Sequence, residues 1–146
     1  MREILFKAKR KDNGEWVEGY YCKTTIGNDV RPSDVIFVPF KVSRNEEWGW
    51  MKVDSDTLCQ YTGLTDKNGN KIWENDITSI NAYSYDEPED DYFGVVKYCE
   101  KDACWVLKNN ERFDEIICEC FGSYTTQMIN HGNIFDNPEL LEVEAR

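Results

Sequence analysis

The sequence predicts an all-β protein, a barrel or sandwich of short strands. Three observations carry that reading. Apolar and polar residues alternate in short runs, turn residues punctuate those runs, and no long stretch shows the 3.6-residue period of a helix. Two of the punctuation marks are Asn-Gly dipeptides, Asn13-Gly14 and Asn68-Gly69, which readily take the positive φ that tight hairpin turns require.

The first element is a hairpin over residues 2–22. With Asn13-Gly14 as its loop, Ala8 stands opposite Gly19 and Phe6 opposite Tyr21. Ile4, Phe6, Ala8, Val17 and Tyr21 then share a core face, and Lys7, Lys9 and Lys11 share the other with Trp16 and Tyr20. "DVIFVPF" (34–40) is a short apolar run with a proline near its end, which reads as an edge or terminal strand. "SRNEEWGW" is polar and reads as a loop holding Trp48 and Trp50. "DSDTLC" opens a short helical turn with Asp54 or Ser55 as N-cap.

"YTGLTDKNGNKIWENDI" (61–77) is a second hairpin, with Asp66 opposite Lys71 and Leu64 opposite Trp73. Its Asp66-x-Asn68-x-Asn70 run begins like an EF-hand loop. The sixth and twelfth positions are Lys71 and Ile77 instead of Gly and Glu, so the cation reading fails and a turn determinant remains. "ENDI" leads through Asp76 into a strand, "DITSINAYS". After the acidic run "YDEPEDDY" come "GVVKYCE" and "CWVLKNN". A four-residue loop, Glu100 to Ala103, puts Cys99 opposite Cys104 and Tyr98 opposite Trp105. Val96, Tyr98, Trp105 and Leu107 then form a buried apolar face, leaving Lys97 and Lys108 exposed. "FDEIICECFG" and "TTQMINHGNIF" are further strand candidates, and "DNPELLEVE" starts a helical turn with Asn137 as cap and Pro138 first.

Bulk properties bound the function. A chain of 146 residues, 40% hydrophobic and 14% aromatic, is long enough to bury a core. The net charge of -11 repels phosphate backbones, so nucleic acid is not an expected partner. No apolar run reaches the ~18 residues of a membrane span, and "MREILFKAKRKDNGEW" has no secretory h-region, so a cytoplasmic protein with no membrane partner is expected. In a reducing compartment the six cysteines (22, 59, 99, 104, 118 and 120) are expected to be reduced thiols without metal.

Two segments, "QYTGLTDKNGNKIWENDI" (60–77) and "HGNIFDNPELLE" (131–142), resemble the hallmark segments of the YopX family of phage- and prophage-encoded proteins, and "ILFKAKRKDNGEWVEGYY" resembles its N-terminal region. Asn75 stands where that family usually has Gly, and Trp73 and Phe135 where Tyr is common. The resemblance implies a single domain with a small SH3-like barrel over residues 56–146 and an N-terminal hairpin annex over 1–55. It implies no activity.

Cys99, Cys104, Cys118 and Cys120 have C-x4-C and C-x-C spacings, a poor match to zinc ligand sets, and no metal or cofactor is expected. His131 is the sole histidine, and with no nucleophile elbow, phosphate loop or zincin motif the chain is expected not to be an enzyme. The acidic run Asp86, Glu87, Glu89, Asp90 and Asp91, flanked by Tyr85, Tyr92 and Phe93, reads as a solvated loop or a protein contact. Trp16, Tyr20, Trp48 and Trp50 add aromatics in excess of what a small barrel hides. The expectation is a protein-interaction or accessory module, able to form a homo-oligomer, with partner unknown. The alternative is an acidic decoy that blocks a nucleic-acid-binding protein.

Overall fold

The computed structural model describes residues 3–38, 49–82, 90–108 and 128–144. The all-β class holds. Among these residues lie ten strands, one 3-10 turn and one short helix. The chain divides into two compact units, residues 1–61 and 62–146.

The first unit is built from β1 (Phe6–Lys9), β2 (Trp16–Thr24), β3 (Ser33–Val38), β4 (Gly49–Lys52) and the start of β5 (Cys59–Thr65). Successive strands pair antiparallel, and β1 takes β5 on its free side through Phe6↔Gln60 and Lys7↔Cys59. A bridge between Arg10 and Val53 returns the end of β4 to the end of β1. Main-chain bonds from Lys11 N to Lys52 O (3.1 Å) and from Asp54 N to Lys9 O (2.9 Å) seal it. The four strands thus close around Ala8, Ile36 and Val53, with Phe6, Val17, Tyr21, Val38 and Leu58 packed on them. Residues 1–55 therefore hold more than a hairpin. Between Val53 and β5 the expected helical turn is a 3-10 turn, Ser55–Thr57, where the Asp54 side chain accepts from Asp56 N at 3.0 Å.

Three local expectations need correction here. The first hairpin pairs Phe6 with Gly19 and Ala8 with Val17, two residues away from the expected register. Its loop has four residues, because Arg10 and Glu15 close it (N to O, 2.9 Å) and Gly14 turns back onto Arg10 O with φ 72°. A slip of two keeps the strand side chains on their expected faces, but Ile4, expected in the core, precedes β1 and is 52% exposed. β3 is not an edge strand, since it lies between β2 and β4; Pro39 lies outside the described residues. Trp50 is not in a loop but in β4, paired with Phe37; Trp48 lies outside the described residues.

The second unit contains a four-stranded antiparallel sheet in the order β10-β7-β8-β9, formed by β7 (Asp76–Ala82), β8 (Asp90–Cys99), β9 (Cys104–Lys108) and β10 (Met128–Asn133). That order is open among the described residues. The end of β5 and β6 (Lys71–Trp73) form the hairpin expected there, and helix α1 (Glu139–Glu144) follows β10. Its core is Ile72, Ile80, Val96, Leu107 and Met128, with Leu64 and Trp105 against it. The β8–β9 register is as expected, with Tyr98↔Trp105 and Cys99↔Cys104. Burial is not: Val96 and Leu107 are inside, but Tyr98 is 44% exposed. The hairpin tip runs past the core, so Tyr98 packs edge-on to Trp105 (centroids 5.1 Å apart) with one side in solvent.

Gly19 tests the packing of β2 against β3. A Cβ there would lie 2.2 Å from Phe37 O and 2.9 Å from Ile36 Cγ2. Gly19→Ala should cost about 2 kcal/mol in urea unfolding, as overpacking does. A neutral effect would mean that β2 and β3 are not packed this way.

Candidate interaction surface

The face of the first sheet that points away from Ala8, Ile36 and Val53 carries the aromatic residues singled out in the sequence. Alternation along β2 puts Trp16 and Tyr20 on this face, and β3 and β4 add Phe37 and Trp50. Register sets them in a row. Tyr20 pairs with Phe37 and Phe37 with Trp50, across three adjacent strands. The Phe37 and Trp50 rings lie 4.8 Å apart at 44°. Tyr20 is 52% and Trp50 51% exposed, so the row presents two half-open rings with a half-buried one between them.

Next to the row, Lys7 Nζ and Lys9 Nζ sit 4.7 and 5.4 Å from the Trp16 ring centroid, within cation–π range. Lys7 also pairs in register with Glu18. At the rim Lys52 Nζ meets Asp29 Oδ2 at 2.6 Å, both half-exposed. The surface is therefore amphipathic, rings in the middle with lysines and the Lys52–Asp29 ion pair around them. It can bury apolar area against a protein surface while its rim stays hydrated. Phe37 was missed in the sequence because β3 is apolar on both faces, which leaves no alternation to read.

The stretch 61–77 turns out to be a polar knot. Asp66 N bonds Asn70 O at 2.8 Å and Gly69 N bonds Asp66 O at 3.0 Å, so the loop is Lys67-Asn68-Gly69, with Gly69 at φ 82°. Asp66 thus faces Asn70 and not Lys71, and Leu64 shares its core cluster with Ile72 and not with Trp73. The buried Asp66 carboxylate accepts from Asn68 N (2.9 Å), Asn70 N (2.9 Å), Asn70 Nδ2 (3.3 Å) and, far along the chain, Asn130 N (3.1 Å). Burial alone would raise its pKa. The donations from Asn70, Asn130 and Asn68 outweigh that and leave it below the ordinary value.

Asp76 is the second anchor. Its Oδ2 accepts from Trp73 N at 2.8 Å and from Asn130 Nδ2 at 2.6 Å. Between them Asn75 takes φ 68°, donates from N to Val96 O and accepts from Ile134 N. Its Oδ1 accepts a hydrogen bond from Lys97 Nζ. The left-handed backbone explains why glycine suits this position. In the second segment Asn133 Oδ1 accepts from Phe135 N and Asp136 N, and Asn137 Oδ1 accepts from Asn133 N. The Asn137 side chain thus turns back toward β10, while its carbonyl opens the helical turn by accepting from Leu140 N.

A register shift between Asn130 and Gly132 turns His131 outward. Its Nε2 lies 2.7 Å from Ser79 Oγ, and its ring is 5.8 Å from that of Phe93. Cys99 and Cys104 face each other, whereas Cys118 and Cys120 lie outside the described residues, as do Asp86, Glu87 and Glu89. Among the described residues no three His, Cys, Asp or Glu side chains converge as metal ligands. Asp90 and Asp91 belong to a strand and not to a loop, paired with Ala82 and Asn81. Asn13 sits in the first loop, where its Oδ1 accepts from Glu15 N at 2.9 Å.

Comparison with known proteins agrees with this architecture. A family profile described as "YopX protein" matches residues 5–142. The crystal structure of protein EF1440 from Enterococcus faecalis shares the fold, with a TM-score of 0.54 and 24% identity over 97% of this chain and 99% of that one. No curated protein matches in sequence.

The Asp66 carboxylate gives stability a pH signature. Its folded pKa lies below the unfolded value of ~3.9, so its contribution is whole above about pH 4 and is lost as the pH falls through the folded pKa. Asp66→Asn should cost about 2 kcal/mol at neutral pH, since charge-assisted bonds are lost. The gap to the unmodified protein should stay constant down to about pH 5 and narrow below pH 4. Asn75→Gly should be tolerated better than Asn75→Ala, which lacks both the side-chain oxygen and the freedom at positive φ. Urea midpoints at several pH values check both.

Proposed function

The chain belongs to the YopX family, and on that premise we propose that it is a non-enzymatic, phage- or prophage-encoded accessory protein of the cytoplasm that works through protein contact. The contact surface is the Tyr20–Phe37–Trp50 row, and its occupant is a second copy of the chain. The cross-strand alignment of these three rings, two of them half-open, is the observation that carries the reading. Exposed aromatic rows on an otherwise hydrated sheet favour burial against another protein.

Charge supports the second copy as occupant. Residues 1–61 hold ten Lys/Arg and ten Asp/Glu, whereas residues 62–146 hold seven and eighteen. A two-fold contact between first units joins two units of zero net charge and avoids the repulsion that a contact between the acidic units would bring.

A second reading has its own observation, since the whole net charge of -11 resides in residues 62–146. That unit would then be an acidic decoy for a basic nucleic-acid-binding protein. Salt-sensitive competition with duplex DNA for such a protein is its test.

Light scattering decides the main proposal. The protein should show about twice the chain mass of 17.2 kDa. The double substitution Tyr20→Ser/Trp50→Ser should weaken self-association at least about a hundredfold without loss of fold. A constant monomer mass over a tenfold concentration range would overturn the proposal.

A further inference from the structure

The last rung of the β8–β9 hairpin pairs two thiols. Cys99 and Cys104 are directly opposed, and the loop between them has only four residues, Glu100 to Ala103. Both are partly exposed, so a small reagent can reach them. Ala103 holds the loop closed with φ 53°, and Cys99 Sγ lies 3.5 Å from Asp102 Oδ2. One rung inward, the edge-on Tyr98–Trp105 pair keeps the strands together.

We propose that Cys99 and Cys104 form a dithiol site that a small disulfide of the glutathione type oxidises reversibly to an intrachain disulfide. Opposed residues of an antiparallel pair have Cα atoms ~4.5–5.5 Å apart, inside the ~4.4–6.8 Å window of disulfides. Their Cβ atoms, at ~4.5–5.5 Å, must close by up to about 1 Å to reach disulfide spacing. A rung at the hairpin tip can supply that shift, and the strain it leaves makes the bond easy to reduce. The chemistry balances. One thiolate attacks a sulfur of the glutathione disulfide and expels the first glutathione thiolate; the second cysteine then attacks the mixed disulfide and expels the other. Two electrons pass to glutathione disulfide, and the two thiol protons end on the two glutathione thiols released.

The other described cysteines lack this arrangement. Cys59 is fully buried, with Sγ 3.3 Å from Thr57 O, and Cys22 pairs in register with Val35. Among the described residues no third His, Cys, Asp or Glu converges on the pair as a structural zinc site needs. The site therefore takes disulfide oxidants.

The test equilibrates the full chain in glutathione buffers of rising oxidation, blocks remaining thiols with iodoacetamide and digests with trypsin. Cleavage after Lys97, Lys101 and Lys108 cuts within the loop, so the disulfide joins Tyr98–Lys101 to Asp102–Lys108 in one species. That species should exceed the glutathione adducts of these two cysteines by at least about tenfold, because the opposed thiol acts at high effective concentration. Dithiothreitol should abolish it. In Cys104→Ser the glutathione adduct at Cys99 should replace it. The proposal is overturned if adducts dominate in the unmodified chain, if either cysteine joins Cys118, Cys120 or another peptide instead, or if both stay alkylated in the most oxidising buffer.

Discussion

A buried carboxylate that accepts four N–H donors is the constraint on which the second half of the chain depends. Asp66 cannot stay buried and charged without those donors, and one of them comes from Asn130, in a strand more than sixty residues away. The Asn130 side-chain Nδ2 in turn donates to Asp76. One asparagine thus ties the tip of the β5–β6 hairpin and the start of β7 to β10. The hydrophobic cluster of Ile72, Ile80, Val96, Leu107 and Met128 supplies the bulk of the burial. Apolar contacts have no direction, so the polar knot is what selects a single register.

The first unit reaches the same end by other means. Its closure rests on backbone bonds between the ends of β1 and β4 and on Thr57, whose hydroxyl accepts from Lys9 N at 2.8 Å and donates to Asp54 O at 2.8 Å. Val53 is buried at the seam. On the face opposite that core the Tyr20 and Trp50 rings stay half-exposed, although Val35 on the same face is buried. Gly19 allows β2 and β3 to approach closely, and the register this sets aligns Tyr20 with Phe37 and Trp50. Fold and surface therefore share one cause.

Much of this was legible in the residues. Period-two alternation gave the strands, turn chemistry gave the hairpins, and the four-residue loop after Cys99 gave the β8–β9 register outright. The loops around the Asn-Gly pairs are longer than the two residues that the dipeptides suggest. At Asn13-Gly14 the extra residues came in a pair, so the faces survived. At Asn68-Gly69 a single extra residue exchanged Trp73 for Ile72 beside Leu64. An Asn-Gly pair marks a turn but does not count the residues in it, because Gly at positive φ also suits three- and four-residue loops. The Asp66–Asn130 and Asp76–Asn130 bonds were illegible for another reason: one sequence shows which residues are polar, not which distant ones meet.

The central claim is that the hallmark segment 60–77 is locked structurally to Asn130 and the segment 131–142 that follows it, and is not a binding site. A double-mutant cycle between Asp76 and Asn130 tests it most directly, read as urea unfolding of the unmodified protein, Asp76→Ala, Asn130→Ala and the double variant. The lock predicts strong non-additivity, about 1.5–3 kcal/mol of coupling for a charge-assisted bond at 2.6 Å. Additive losses, within about 0.5 kcal/mol, would contradict it.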